Sequence, residues 1–351
     1  MSNKIPVGVL AATGSVGQRF IQLLDNHPWF EVTMLSGSDR TQGQTYGEGC
    51  NWLLADPMPE WASKLPVLPT NPDAITTPLV FSALPADIAK DVEPAFAKAG
   101  AVVCSNASAY RREMDVPILL PEVNANHAEL IHVQRTKRGW KGAIITNPNC
   151  TSTGLTVALK ALKDAFGLKR IITVSMQAIS GAGYPGVPSL DILDNVIPYI
   201  GDEENKVEYE TRKMLGSIKS GGIAMADFGI SAHTNRVSVV DGHTVVFSVE
   251  LENKATPEEA IQVLKTYQGP EISRDLPSAP RPVIAVRDEN NRPQPRLDRM
   301  TGKGMTTVVG RVRPDPVFDL KMVTLSHNTI RGAAGGSIFN AELLVRLNLL
   351  A

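Results

Sequence analysis

From Ile5 to about Pro148 the chain alternates short apolar, β-branched runs with stretches whose apolar positions recur every three or four residues. The first pattern makes buried strands and the second makes helices that pack on them. The strand-like runs are Pro6 to Leu10, Glu31 to Leu35, Leu79 to Ser82, Ala101 to Cys104 and Ala143 to Ile145. Between the first two, Val16, Phe20, Leu23 and Leu24 predict a helix over Val16 to Asn26 that stops before His27-Pro28. Such alternation predicts an α/β fold with a doubly wound parallel sheet. Another helix starts at Cys150, straight after Asn147-Pro148-Asn149, with Leu155, Val157, Ala158 and Leu162 at helical spacing.

After Lys169 the texture changes to longer β-rich segments: Ile171 to Ala178, Arg236 to Glu250, Thr306 to Pro314 and Asp319 to Ser326. They predict a second, α+β domain built on one large mixed sheet, with helices near Pro188 to Ile200 and Pro257 to Tyr267. The polar, Pro-rich stretch Arg274 to Arg296 reads as a surface loop or arm. Gly332 to Leu350, with Leu343, Leu344 and Leu347 along one side, reads as a helix that returns to the first domain. The expected division is 1–149 completed by 328–351, and 150–327.

A length of 351 residues suits two cores, since one core stops growing near ~250 to 300 residues. Apolar residues are 43 % and charged residues 20 %, an ordinary globular composition with no run long enough for a membrane span. Net charge is −1 with both signs interspersed, which offers no basic stripe to nucleic acid or anionic lipid. The N-terminus lacks signal-peptide layout, so the cytoplasm is the expected compartment. Three cysteines, Cys50, Cys104 and Cys150, fit neither a disulfide framework nor a zinc motif, and no metal is expected.

The first strand runs into Ala11-Ala12-Thr13-Gly14-Ser15-Val16-Gly17, a glycine-rich turn that opens a helix. In a Rossmann-type sheet such a turn brings backbone N–H groups to a pyrophosphate, although Gly-x-x-Gly turns also serve plain helix–strand packing. The second strand continues into Ser36-Gly37-Ser38-Asp39-Arg40. Hydroxyls with an arginine suit the 2′-phosphate of NADP, while Asp39 leaves NAD open. Ser82 ends another strand at its carboxyl end, where ligands bind in open α/β sheets. Cys150 sits at a helix N-terminus, where the dipole favours thiolate and hence nucleophilic attack on acyl carbon; a buried structural cysteine is the plainer alternative. His243 follows Asp241-Gly242 at a turn and is the natural proton carrier, against a merely solvated imidazole. Arg236, seven residues earlier, has the fork geometry for a carboxylate, against a surface ion pair.

These segments resemble the aspartate-β-semialdehyde dehydrogenases, in particular their fungal and archaeal branch. The resemblance spans Val9 to about Leu344 and rests on Thr13 to Phe20, Asn149-Cys150-Thr151-Ser152, Gln177 to Gly183, Asn235-Arg236-Val237, Asp241-Gly242-His243-Thr244 and His327-Asn328-Thr329-Ile330. It implies reduction of aspartyl phosphate to the semialdehyde by NADPH with release of phosphate, on the route to lysine, threonine and methionine. By the same resemblance Cys150 is the nucleophile, Gln177 orients the acyl group and His243 is the acid/base. Arg236 takes the substrate carboxylate, Glu203 its amino group, and Lys206 with Arg111 the phosphate. Thr13, Gly14, Ser15, Val16, Ser36, Gly37, Ser38, Arg40, Ser82, Gly183 and Asn328 match the cofactor site, with Ala11 standing where relatives carry a glycine. The family also implies a homodimer or homotetramer. A malonyl-CoA reductase on the same scaffold, an N-acetylglutamyl-phosphate reductase and a non-catalytic dinucleotide sensor are the rival readings.

Overall fold

In a computed structural model of the chain, residues 4–350 are described. The first sheet comprises β1 (Ile5–Leu10), β2 (Phe30–Ser36), β3 (Val67–Leu68), β4 (Leu79–Ser82), β5 (Val102–Ser105) and β6 (Ala143–Thr146). All five of its pairings are parallel, and the order is β3-β2-β1-β4-β5-β6. Chain order reverses between β1 and β4, and at such a switch point the diverging loops leave a crevice beyond the strand ends. Five of these strands fall within a residue or two of the positions their apolar runs predict. β3 escapes that reading because two residues carry no periodicity.

The helix Ser15–Leu24 packs on this sheet through Phe20, Ile21 and Leu24, and Gly17 permits the approach. A methyl group on Gly17 would lie 2.3 Å from the carbonyl oxygen of Ala11, closer than any carbon tolerates. Ala11 itself adopts a left-handed conformation with φ 55°. The C-terminal helix Gly335–Arg346 buries Ile338, Phe339, Leu343 and Leu344 in the same core as Val9, Phe81 and Ile145. A buried ion pair between Arg331 and Glu122 ties the segment before that helix to the first half of the chain.

The second sheet comprises β7 (Arg170–Gln177), β10 (Gly229–Arg236), β11 (His243–Glu250), β12 (Ile284–Arg287), β13 (Thr307–Pro314) and β14 (Leu320–Ser326). Its order is β10-β7-β11-β14-β13-β12, parallel at both edges and antiparallel within, so it is mixed as expected. A separate hairpin joins β8 (Ser217–Lys219) to β9 (Gly222–Ala224). One face of the large sheet is covered by the helices Cys150–Phe166 and Pro257–Thr266. The other face leaves Ile172 exposed and Val174, Met176 and Val246 half-buried.

Three expectations need correction. The run Arg236 to Glu250 is not one strand: β10 ends at Arg236, and the chain turns through Asp241-Gly242 before β11 starts at His243. β10 itself, rich in Ser, His, Thr and Asn, does not look apolar enough to announce a strand. The helix expected over Pro188 to Ile200 is a single turn, Ser189–Ile192, because few of its residues find an apolar surface to cover. Arg274 to Arg296 is no free arm, since it supplies the edge strand β12, whose partner β13 is parallel.

Candidate active site

Strand direction explains why distant residues meet. β7 and β10 run parallel, with Arg236 opposite Gln177 at their carboxyl ends. β11 runs against β7, so its first residue, His243, comes to the same end; β14 runs against β11, which places Ser326 opposite His243 and sends His327 and Asn328 there too. The helix beginning at Cys150 lies across that end. Asn149 caps it, accepting the N–H groups of Thr151 and Ser152 at 2.9 and 3.2 Å.

The Sγ of Cys150 lies 3.1 Å from Nε2 of His243. Nδ1 of His243 accepts the backbone N–H of Ala178 at 3.0 Å. A neutral imidazole has one N–H and one acceptor nitrogen, so this ring carries its hydrogen on Nε2 and aims it at the sulfur. Gly181 admits the arrangement: a methyl group there would stand 2.8 Å from Nη1 of Arg236 and 3.0 Å from Cε1 of His243. Arg236 donates from Nη1 to the carbonyl of Ala178 at 2.8 Å.

Charge in this pocket departs from the dipole argument for a resting thiolate. Burial pushes the thiol of Cys150 up to about 12, and the Glu203 carboxylate adds to the rise, against Arg111, Arg236 and the Thr151 N–H, which favour the anion. Burial likewise pushes His243 down to about 3, helped by the positive charge of Arg236. Desolvation penalises both ions and outweighs the helix terminus, so the substrate-free pair is thiol and neutral imidazole.

A cleft of about 380 Å³ opens in front of the sulfur. Arg111, Glu203, Lys206 and Arg236 all line it, as do Val16, Gly183 and Asn328. Glu203 holds three neighbours: Lys206 at 3.1 Å through Oε1, and Asn149 Nδ2 and Gln177 Nε2 at 2.8 and 3.2 Å through Oε2. Gln177 is fully buried behind this carboxylate and is not part of the cleft wall. Asn328 fastens two loops, accepting from Gly242 N–H and donating to the Ser180 hydroxyl, each at 2.8 Å.

A second hollow of about 370 Å³ shares Ser180, Gly183 and Thr329 with the first and reaches Ser15 and Arg19 on the glycine-turn helix. No side chain caps that helix at Gly14, which leaves first-turn N–H groups for an anion. Thr13, Ser15 and Val16 are half-open there, and Ser38 and Arg40 are exposed beyond β2. Ser36 and Ser82 are different. Both are fully buried, with the Ser36 hydroxyl accepting from Thr70 at 2.9 Å, so they shape their loops from below and Gly37 lies buried between Ser36 and Ser38. The donor set therefore fits a phosphorylated dinucleotide: free helix N–H groups at the pyrophosphate position and an exposed serine–arginine pair at the second strand. Cys50 and Cys104 are buried away from the cleft, and among the described residues no group of three or more His, Cys, Asp or Glu side chains stands close enough to hold a metal. No helix among them is long and apolar enough to cross a membrane.

Comparison with known proteins gives the same picture. Residues 6–131 match the model of the semialdehyde dehydrogenase NAD-binding domain, and 159–331 that of the semialdehyde dehydrogenase dimerisation domain. An aspartate-semialdehyde dehydrogenase of Archaeoglobus fulgidus is 51 % identical over 98 % of this chain and 99 % of its own length. The chain belongs to the aspartate-semialdehyde dehydrogenase family. A fission-yeast member, from Schizosaccharomyces pombe, is 46 % identical over 98 % of this chain and 99 % of its own. A crystal structure of the Candida albicans aspartate semialdehyde dehydrogenase with NADP superposes with TM-score 0.91 at 42 % identity, covering 99 % of this chain and all of that one.

Sequence reasoning did not single out Asn149 or Glu210, although both support this family's cleft here. Asn149 was legible as an N-cap. Glu210 was legible only as the third member of a helical face, seven residues after Glu203 and four after Lys206.

Proposed function

We propose that this chain reduces L-aspartyl 4-phosphate to L-aspartate 4-semialdehyde with NADPH, through a thioester on Cys150, in the synthesis of lysine, threonine and methionine. The observation that carries this reading is the 3.1 Å Cys150–His243 contact facing a cleft lined by Arg111, Lys206 and Arg236. Three cations and one carboxylate complement a substrate with a carboxylate, an ammonium and a phosphate.

Arg236 clamps the substrate carboxylate and Glu203 meets its ammonium, which aims the acyl carbon at the sulfur. The sulfur attacks that carbon, the bond from carbon to the phosphate oxygen breaks, and phosphate leaves between Lys206 and Arg111. The thiol proton must go at the same time. For Nε2 of His243 to accept it, Nδ1 has to carry a hydrogen, so the Ala178 N–H must turn aside as the proton moves. When bound, the dinucleotide supplies the hydride that reduces the thioester. The tetrahedral oxyanion left by that reduction then collapses: its C=O bond re-forms as the carbon–sulfur bond breaks, sulfur leaves with the electron pair, and the Nε2–H of His243 returns the proton to it.

The second sheet supports a homodimer. Its open face, with Ile172, Val174 and Met176, lies in the part of the chain matched by the dimerisation-domain model; Leu190, Leu193 and Tyr199 of the following segment are also exposed.

The test is an assay with aspartate semialdehyde, phosphate and NADP, followed by NADPH absorbance. Phosphate-dependent formation of NADPH is expected, and Cys150→Ser should remove it while NADP binding persists. Activity with a CoA thioester in place of phosphate chemistry, or near-normal turnover in the serine variant, would overturn the reading.

A further inference from the structure

We propose that Glu210 is a positioning residue for this reaction, its carboxylate bridging the Arg111 guanidinium to the peptide that precedes Cys150. The inference rests on the reading of Arg111 as a phosphate ligand and adds the device that aims it.

Glu210 is 2 % exposed and forms no part of the cleft wall, so it does not touch substrate. Its Oε1 accepts from Nη1 of Arg111 at 3.0 Å, and its Oε2 accepts the backbone N–H of Asn149 at 2.6 Å. Glu203, seven residues earlier on the same helix Glu203–Met214, accepts from the side-chain amide of that same Asn149. Two carboxylates of one helix face therefore hold the residue whose Oδ1 caps the Cys150 helix. Arg111 is held equally firmly. Its Nη2 donates to the Asn106 carbonyl at 2.7 Å, and buried Lys213, one turn beyond Glu210, donates to the carbonyls of Arg111, Glu113 and Val116 at 2.7, 2.6 and 2.9 Å.

A guanidinium is a rigid planar fork, so fixing two of its nitrogens fixes the direction of the rest. The sulfur and the phosphate oxygen must both reach one acyl carbon, the sulfur from the face of its carbonyl plane and the oxygen as the group exchanged at the tetrahedral carbon, so a cation that drifts from its place holds the phosphate less well there. A single side chain bonded to both the phosphate cation and the nucleophile's cap sets that place. Glu210 also balances the charge of Arg111, but an electrostatic restraint and a positioning bridge predict opposite changes when the carboxylate is lost.

Glu210→Gln distinguishes them. The amide keeps the volume, and its oxygen can still accept from Asn149; its NH2 then faces the guanidinium donor to donor and releases Arg111. In the phosphate-dependent assay the KM for phosphate should rise about tenfold or more, as loss of a charge-assisted hydrogen bond implies. The kcat at saturating phosphate should fall less than about threefold, and alkylation of Cys150 without substrates should stay within about twofold, because the Asn149 bond survives. Combined with Arg111→Ala, the Gln variant should add less than about twofold in phosphate KM, since its effect passes through that arginine. An unchanged or lowered phosphate KM in E210Q beside a raised one in R111A overturns the positioning role, as does full additivity in the double variant. If R111A leaves the phosphate KM unchanged, the phosphate role of Arg111 fails first and the bridge loses its purpose. Should E210Q not fold, Glu210→Asp, which withdraws the carboxylate by one methylene, is tested for the same rise in phosphate KM and the same lack of additivity with Arg111→Ala.

Discussion

The protonation state of Cys150 without substrate gives the sharpest prediction. With the thiol pushed up to about 12, only about 10⁻⁵ of it is thiolate at pH 7, against a few per cent for a free cysteine of pKa ~8.5. The thiolate is the species that alkylates, so iodoacetamide should modify Cys150 about 10³-fold more slowly than free cysteine at that pH. Raising the pH removes the proton, and the rate should climb about tenfold per unit from pH 6 to 10 without a plateau. His243, pushed down to about 3, stays neutral throughout and should add no inflection. Glu203 is the largest charge opposing the anion, so Glu203→Gln should speed alkylation at fixed pH; Arg236 favours the anion, so Arg236→Ala should slow it. Stopped-time alkylation followed by mass spectrometry of the Cys150 peptide measures these rates. A plateau beginning below pH 8 would mean a preformed thiolate–imidazolium pair, and would refute the claim that burial outweighs the helix terminus.

Arg236→Lys keeps the charge but loses the fork, and the KM for the semialdehyde should rise about tenfold or more in steady-state assays with a smaller loss in kcat. Ala11→Gly relieves the left-handed conformation at φ 55° and should leave stability equal or up to about 1 kcal/mol higher by thermal unfolding; a loss beyond that would deny the strain. Leu190 and Leu193, 91 % and 59 % exposed, should lie in the subunit contact, so Leu190→Asp with Leu193→Asp should move the protein toward monomer in analytical ultracentrifugation.

Periodicity made the first sheet readable, because a strand buried on both faces must be apolar along its length and the helices beside it must repeat every 3.6 residues. Leu79 to Ser82 was placed to the residue for this reason, and Cys150 was placed at a helix start because Leu155, Val157, Ala158 and Leu162 recur at helical spacing after Asn147-Pro148-Asn149. The order of short motifs along the chain also carried the family and the candidate residues. Local pattern did not reach β10, whose outward Ser, His and Asn conceal a strand held by pairing with β7. Tertiary structure alone decided that Gln177, Arg236, His243 and Asn328 share one end of a sheet, since that follows from which strands pair and in which direction. It also set burial against the helix terminus at Cys150 and pushed the thiol up, because a dipole can be inferred from neighbours in sequence whereas desolvation depends on everything packed around the sulfur. Glu210 belongs to the same class: its two partners lie 99 and 61 residues away, and only the folded chain brings them to one carboxylate.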